Sequence, residues 1–288
     1  AKVCANVNSQ ANEFLDFVHI SPYVNKTQIS FRNQKLCISE LENNKNYDLS
    51  ILEGAPFVFE NVIVRNENIL EYKFTTFNLK PSIEFSGSSF ILAKDSIKGV
   101  PIFTTNIEHL DLSLLRVSER SLSNLMTRWR NPLQQISQDY YLDELLENTA
   151  SPVWTGNFEV NASKNIRVEK ILPINKILES LPEGLFLLVA RDKNENNSSN
   201  SKVATQWILN TNLGISAAKF DKGMTVNVRA LDTAEPIGDA SIDLITRSNN
   251  IVFSGKTNSD GILAIPEPAV KGKQANKPSH LVVRWKKD

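Results

Sequence analysis

The side chains that could do chemistry in this 288-residue chain are few: three histidines, two cysteines and scattered carboxylates. His19, His109 and His280 lie far apart, and none has a second ligand at the short spacing that zinc sites use. Each reads as a surface or half-buried structural residue, so no metal site is expected. The carboxylate pairs Asp143/Glu144 and Asp239/Asp243 could serve a glycosidase only if a fold held them at a defined separation. A solvated strand face already accounts for Asp239 and Asp243. No glycine-rich phosphate loop, HExxH or GxSxG occurs. Trp129, Trp154, Trp207 and Trp285 are spread along the chain and fit core packing better than a stacking platform. The expectation is no catalytic residue, no cofactor and no enzyme. Asn25, Asn161, Asn196 and Asn197 begin Asn-x-Ser/Thr sequons, which matter only in a eukaryotic secretory pathway.

Cys4 and Cys37 are not a CxxC pair, and neither has a histidine nearby in sequence. Both fall in strand-like runs, Val-Cys-Ala-Asn-Val and Lys-Leu-Cys-Ile-Ser. A bridge between them would close a loop of roughly thirty residues, stabilise its module by about 3–4 kcal/mol and require an oxidising compartment. The alternative is two buried free thiols.

The elements that would position these groups are short and mostly extended. Lysine plus arginine equals aspartate plus glutamate, 32 of each, so no basic excess points to nucleic acid or an anionic membrane. The apolar run from Leu185 to Ala190 is far short of the ~20 residues of a spanning helix. The chain starts at Ala-Lys-Val-Cys and stops just after a strand-like run, so a mature or excised segment cut in mid-protein is expected. Its length predicts two or three domains.

In the first region, Gln28–Phe31, Lys35–Ile38, Tyr47–Leu52 and Ile69–Thr76 fit strands, with turns at residues 43–46 and 65–68. Leu79-Lys80-Pro81-Ser82 reads as a linker. Strand-like runs resume at residues 101–105, 110–117, 154–160, 166–172, 184–190 and 203–209. Between them Leu122, Leu125, Met126 and Trp129 recur at helical spacing, with Ser118 as cap and Asn131-Pro132 as stop. A second helix is expected from Asp139 to Asn148, Leu142, Leu145 and Leu146 facing inward. The polar stretch 192–201 reads as a flexible hairpin tip. In the last region Met224, Val226, Val228 and Ala230 alternate with polar residues, and Asn249-Asn250 and Asp260-Gly261 mark hairpin turns. The fold class is therefore mainly β: tandem immunoglobulin- or fibronectin-like β-sandwiches with a small helical insertion at about 118–148. The expected modules are residues 1–79, 80–210 and 211–288.

Several stretches resemble the bacterial alpha-2-macroglobulins in their N-terminal macroglobulin-like domains. Lys35-Leu36-Cys37-Ile38-Ser39-Glu40-Leu41 followed by Tyr47-Asp48-Leu49 is similar to the family's "LCIxGL…Y.v.l", which has a partner cysteine near its start. Gly99-Val100-Pro101-Ile102 through Leu110-Asp111-Leu112 is similar to its "GLPV" strand pair, and Trp154-Thr155-Gly156 to its "vW.G" turn. The most specific likeness runs from Ala204-Thr205-Gln206-Trp207 through Val228-Arg229-Ala230-Leu231-Asp232-Thr233-Ala234-Glu235-Pro236. Ala204 to Leu213 would join the second and third domains, and Arg229 to Ala240 would be the first hairpin of the third. Ser39-Glu40 and Asn210-Thr211-Asn212 depart from the family pattern.

The resemblance implies a macroglobulin-like scaffold within a large periplasmic or cell-envelope protein that entraps proteases, anchored, if at all, outside this segment. Proteases would be partners of the full-length protein, and neighbouring macroglobulin domains partners of this segment. The resemblance implies no contact with nucleic acid or membrane. Some members carry a Cys-x-Glu-Gln thioester; here Cys37 is followed by Ile-Ser-Glu, and no bait segment is recognisable. The reading from a different class is an adhesin or carbohydrate-binding module array.

Overall fold

The structure is a computed structural model that describes residues 1–9, 12–86, 91–93, 99–118, 121, 136, 139–194 and 202–288. The helix read at 122–129 with its Asn131-Pro132 stop, the sequons at Asn196 and Asn197, and most of the 192–201 tip lie outside these residues. Among the described residues no helix is long and apolar enough to cross a membrane. The chain forms two compact units, residues 1–80 and 81–288.

The first unit contains β1 (Val3–Asn6), β2 (Val18–Ser21), β3 (Gln28–Arg32), β4 (Lys35–Ser39), β5 (Asn46–Ile51), β6 (Pro56–Phe59), β7 (Val62–Arg65) and β8 (Leu70–Thr75). Two three-stranded sheets, β1-β4-β3 and β2-β5-β8, accompany the two-stranded ribbon β6-β7. Period-2 alternation decides which face is buried: Leu36 and Ile38 of β4 point inward with Tyr47, Leu49 and Ile51 of β5. Phe14, on a 3-10 turn at Asn12–Phe17, is fully enclosed, its ring 5.2 Å from Phe31 and 5.5 Å from Phe57. Asn33 and Gln34 both take positive φ, which closes the β3–β4 hairpin as a mirror-image turn.

The ribbon β6-β7 is absent from the sequence reading, which passes directly from residues 47–52 to a turn at 65–68. Its turn residues are Glu60 and Asn61, at φ 46° and 67°, and no glycine marks them. The left-handed pair without glycine is why the turn escaped notice.

The second unit begins with β9 (Ser82–Phe85), β10 (Ile91–Ala93), β11 (Val100–Thr105), β12 (His109–Val117), helix α1 (Asp139–Asn148), β13 (Ala150–Glu159), β14 (Arg167–Leu172), helix α2 (Asn175–Glu179), β15 (Gly184–Asp192) and β16 (Val203–Thr211). Strand β9 starts at Ser82, inside the stretch read as a linker; Pro81, which cannot donate to a ladder, immediately precedes it. The five-stranded sheet β10-β16-β15-β12-β13 accompanies the three-stranded sheet β14-β11-β9.

The apolar run Leu185–Ala190 is the centre of β15, and both of its faces are covered. Phe186, Leu188 and Ala190 join one core with Ile102, Leu110 and Ile208. Leu187 and Val189 join another with Trp207 and with Leu142 and Leu145 of α1. A strand buried on both faces reads as a continuous apolar run rather than an alternating one.

Six further strands follow: β17 (Leu213–Phe220), β18 (Gly223–Ala230), β19 (Ser241–Thr246), β20 (Ile251–Lys256), β21 (Ile262–Pro266) and β22 (Pro278–Arg284), with a one-turn helix α3 (Glu267–Val270) after β21. They form two sheets, β17-β18-β21 and β20-β19-β22, around Val226, Val228, Ala240 and Ile242, all fully buried.

Two expectations change here. Arg229–Ala240 is not a hairpin: β18 and β19 lie in different sheets, and the segment carries the chain across. The backbone does so with an isolated bridge between Arg229 and Pro236 and a left-handed Ala234. The first hairpin of this region is β17–β18. Asp260-Gly261 does turn tightly, with Gly261 donating to the Asn258 carbonyl, but β20 and β21 also lie in different sheets. Turn chemistry fixes a reversal of direction, not which sheet receives the next strand.

Candidate functional site

The potential catalytic and metal-binding residues do not converge. Among the described residues no group of three or more His, Cys, Asp or Glu side chains could hold a metal ion. His19 is exposed on β2, while His109 opens β12 and His280 lies on β22. Burial lowers the pKa of His280. Asp143 and Glu144 ride on α1. Asp239 adopts a left-handed turn conformation before β19. Asp243 accepts a 2.6 Å bond from the Ser254 hydroxyl and a 2.7 Å bond from the Arg284 guanidinium, tying β19 to both of its neighbours. The Ser254 bond, then Arg284, holds this carboxyl below its ordinary value against the opposing effect of burial.

Cys4 and Cys37 are joined by a disulfide across 33 residues. The two stand directly opposite in the β1–β4 ladder. Val7 donates to the Gln34 carbonyl, three steps along the same register, so Cys4 and Cys37 fall at a pair without ladder hydrogen bonds, where side chains come closest. Strand β1 borders an apolar cavity of about 380 Å³, lined by Val3, Val7, Leu36, Ile51, Tyr72 and Phe74 among others. Its polar lining is confined to Asn6, Asn8 and Tyr72.

A dense polar arrangement surrounds the join between β16 and β17, where one residue, Asn212, separates two strands of different sheets. The Thr211 hydroxyl donates to the Asp288 carboxylate at 2.7 Å and accepts the Leu213 N–H at 2.9 Å. The Asn212 N–H donates to the same carboxylate at 2.7 Å. The Asn212 carbonyl accepts from Leu231, and its side-chain oxygen from the Asp232 N–H at 3.2 Å. The Asn212 side chain holds Asp232 below its ordinary value. Asp288 is positioned by reciprocal backbone bonds with Trp285, 2.7 and 3.0 Å long. On the far side Gly214 lies close under the Leu231 side chain, whose terminal methyl would be 2.9 Å from a Cβ there.

Sequence reasoning located this join at Ala204–Leu213 but missed Asp288, 76 residues away from Asn212. No spacing rule could have found it. Chemically the cluster can clamp a backbone; it presents no nucleophile, no acid–base pair and no open ligand position.

Tandem, largely antiparallel β-sandwiches of this build, with few and short helices among the described residues, have the architecture of macroglobulin-like domains. Two family models run nearly end to end over the second unit. Residues 84–206 match the bacterial alpha-2 macroglobulin MG2 domain, and residues 210–288 match the bacterial alpha-2-macroglobulin MG3 domain. The chain belongs to the bacterial alpha-2-macroglobulin family.

It is 24% identical over 193 residues to the alpha-2-macroglobulin of Escherichia coli strain K12, a match covering 66% of this chain and 11% of that protein. The chain thus spans about a tenth of the length of the curated relatives it matches. Its fold is similar to native alpha-2-macroglobulin from Escherichia coli spanning domains MG0-NIE-MG1, with a TM-score of 0.62 and 19% identity over 99% of this chain and 89% of that one. Trypsin activated alpha-2-macroglobulin from Escherichia coli is also similar, at a TM-score of 0.55 and 19% identity, covering 70% of this chain and 14% of that one.

Proposed function

We propose that this chain is the N-terminal scaffold of a protease-trapping inhibitor, with bait and thioester regions elsewhere in the protein. The observation that carries the reading is the pair of family matches spanning residues 84–288. It is supported by a relative described as trypsin activated. On this reading the chain comprises three modules, residues 1–79, 80–210 and 211–288, and is not itself an enzyme. Its job is to hold neighbouring domains at fixed angles. Proteases are partners of the whole protein, in host defence. The Cys4–Cys37 bridge fits a periplasmic or cell-envelope location, where disulfides persist.

The test is to incubate the full-length protein with trypsin. Trapping predicts that trypsin keeps its activity on a small chromogenic peptide but loses it on a large protein substrate. Equal loss on both, or none on either, overturns the proposal.

A further inference from the structure

The first unit leaves one side of its sandwich open. Each of its three-stranded sheets has two edge strands, β1 and β3 in one and β2 and β8 in the other. The apolar recess of about 380 Å³ is lined from β1, β4, β5 and β8 but not from β2 or β3, so it lies on the β1/β8 side. Register places this lining on the inward faces: Val3 and Ala5 stand opposite Ile38 and Leu36, and Tyr72 opposite Leu49. These are core positions, yet Ala5 is exposed and Tyr72 is 53% exposed. Inward-pointing side chains that meet water mark a layer with nothing over it.

The edge of β1 is unpaired beside this recess. Val7 bonds to Gln34 across the ladder, so Val3 and Ala5 bond to β4 in the same register. The alternate residues Cys4 and Asn6 therefore turn their N–H and C=O groups outward. Among the described residues those four groups meet no partner. Two residues further on, this edge is already used for pairing: Val58 donates to the Asn8 carbonyl at 2.7 Å. Proteins commonly guard an open edge with charge. Strand β8 carries Glu71 and Lys73 and β3 carries Arg32, whereas β1, Val-Cys-Ala-Asn, carries none.

A row of hydrogen-bonding groups beside an apolar recess selects its ligand. An acyl chain would fill the recess but leave the row to water. A charged side chain entering it would find only Asn6, Asn8 and Tyr72 as polar lining. An extended peptide with apolar side chains satisfies the row and the recess together. We propose that β1 is a docking edge for an extended partner segment, apolar at alternate positions, which adds a fourth strand to the β1-β4-β3 sheet. Its backbone pairs with Cys4 and Asn6. Opposite Ala5, the smallest residue on that wall, it places a large apolar side chain that fills the recess. Its other face, beside the Cys4–Cys37 bridge, is polar.

The probe is the fluorescein-labelled peptide Lys-Val-Thr-Leu-Thr-Val-Ser, titrated with the full-length protein and followed by anisotropy. Binding should saturate and be on the order of tenfold tighter than for the reordered peptide Lys-Thr-Thr-Val-Leu-Val-Ser, which lacks the alternation. An added strand uses one edge only. N-methylation of one alternate set of peptide amides should weaken binding about tenfold or more, and methylation of the other set should change it less than about twofold. Ala5→Trp, which fills the recess from an exposed position, should abolish binding while the Cys4–Cys37 bridge still forms. Equal tolerance of both methylated sets, with displacement by monoolein, would identify an apolar molecule held without strand pairing and overturns the proposal. So does equal affinity for the reordered peptide, undiminished binding to the Ala5→Trp protein, or no binding at all. None of these outcomes depends on whether the protein traps trypsin.

Discussion

The two compact units solve the problem of stability differently. The first, of 80 residues, has thin sheets, an apolar cavity of about 380 Å³ within it and a covalent bond across β1 and β4. The second contains no cysteine; its five-stranded sheet is packed on both faces, so that Phe186, Leu187 and Leu188 in succession are fully enclosed. Small domains bury a smaller fraction of their surface and gain most from a cross-link. Larger ones can afford a central strand that never meets water.

The contrast can be broken experimentally, because all four tryptophans lie in the second unit. Their fluorescence reports that unit alone. Trp207→Ala removes a side chain only 1% exposed and should cost about 3–5 kcal/mol. A urea titration followed by tryptophan emission should show the shift, and the far-UV signal of the first unit should not move with it.

The reverse experiment replaces Cys4 and Cys37 together by serine. Losing a 33-residue cross-link should cost the first unit about 3–4 kcal/mol while the tryptophan transition stays in place. A shift of both transitions by the same amount would mean that the two units unfold as one.

A smaller effect is expected at the β16–β17 join. Asp288→Ala removes the acceptor for the Thr211 hydroxyl and the Asn212 N–H, worth about 1.5–3 kcal/mol for bonds to a charged group. Faster hydrogen exchange at Asn212 and Leu213, without change in β15, is the signature.

The smallest effect concerns acid. Asp243 is held below the ordinary aspartate value of 3.8, so its contribution is present above that pH and is lost as pH falls through its folded value. Asp243→Asn should flatten the acid limb of tryptophan-monitored stability relative to the parent. An unchanged limb would show that Ser254 and Arg284 do not favour the ionised form.

Local pattern made much of this fold legible. The alternation at Tyr47, Leu49 and Ile51, the apolar run of β15 and the i, i+3 spacing of Leu142 and Leu145 each identify an element and its buried side. The family likeness added what pattern could not, the macroglobulin-like class of the sandwiches. Three things stayed hidden for physical reasons. The β6-β7 ribbon has a left-handed turn built from Glu60 and Asn61, residues that do not advertise it. The crossings at Arg229–Ala240 and Asp260-Gly261 depend on which sheet has an open edge, a property of the assembled sandwich. The clamp on Asn212 needs a carboxylate brought from 76 residues away.

That clamp has a mechanical consequence. Asp288 lies after six strands, yet its carboxylate grips Thr211 and Asn212, which precede all of them. Tension entering the chain at Asp288 therefore has a short circuit: it reaches the end of β16 without stretching the sandwich between. The sandwich of β17–β22 is bypassed, and the strain is delivered to a single torsional joint at Asn212.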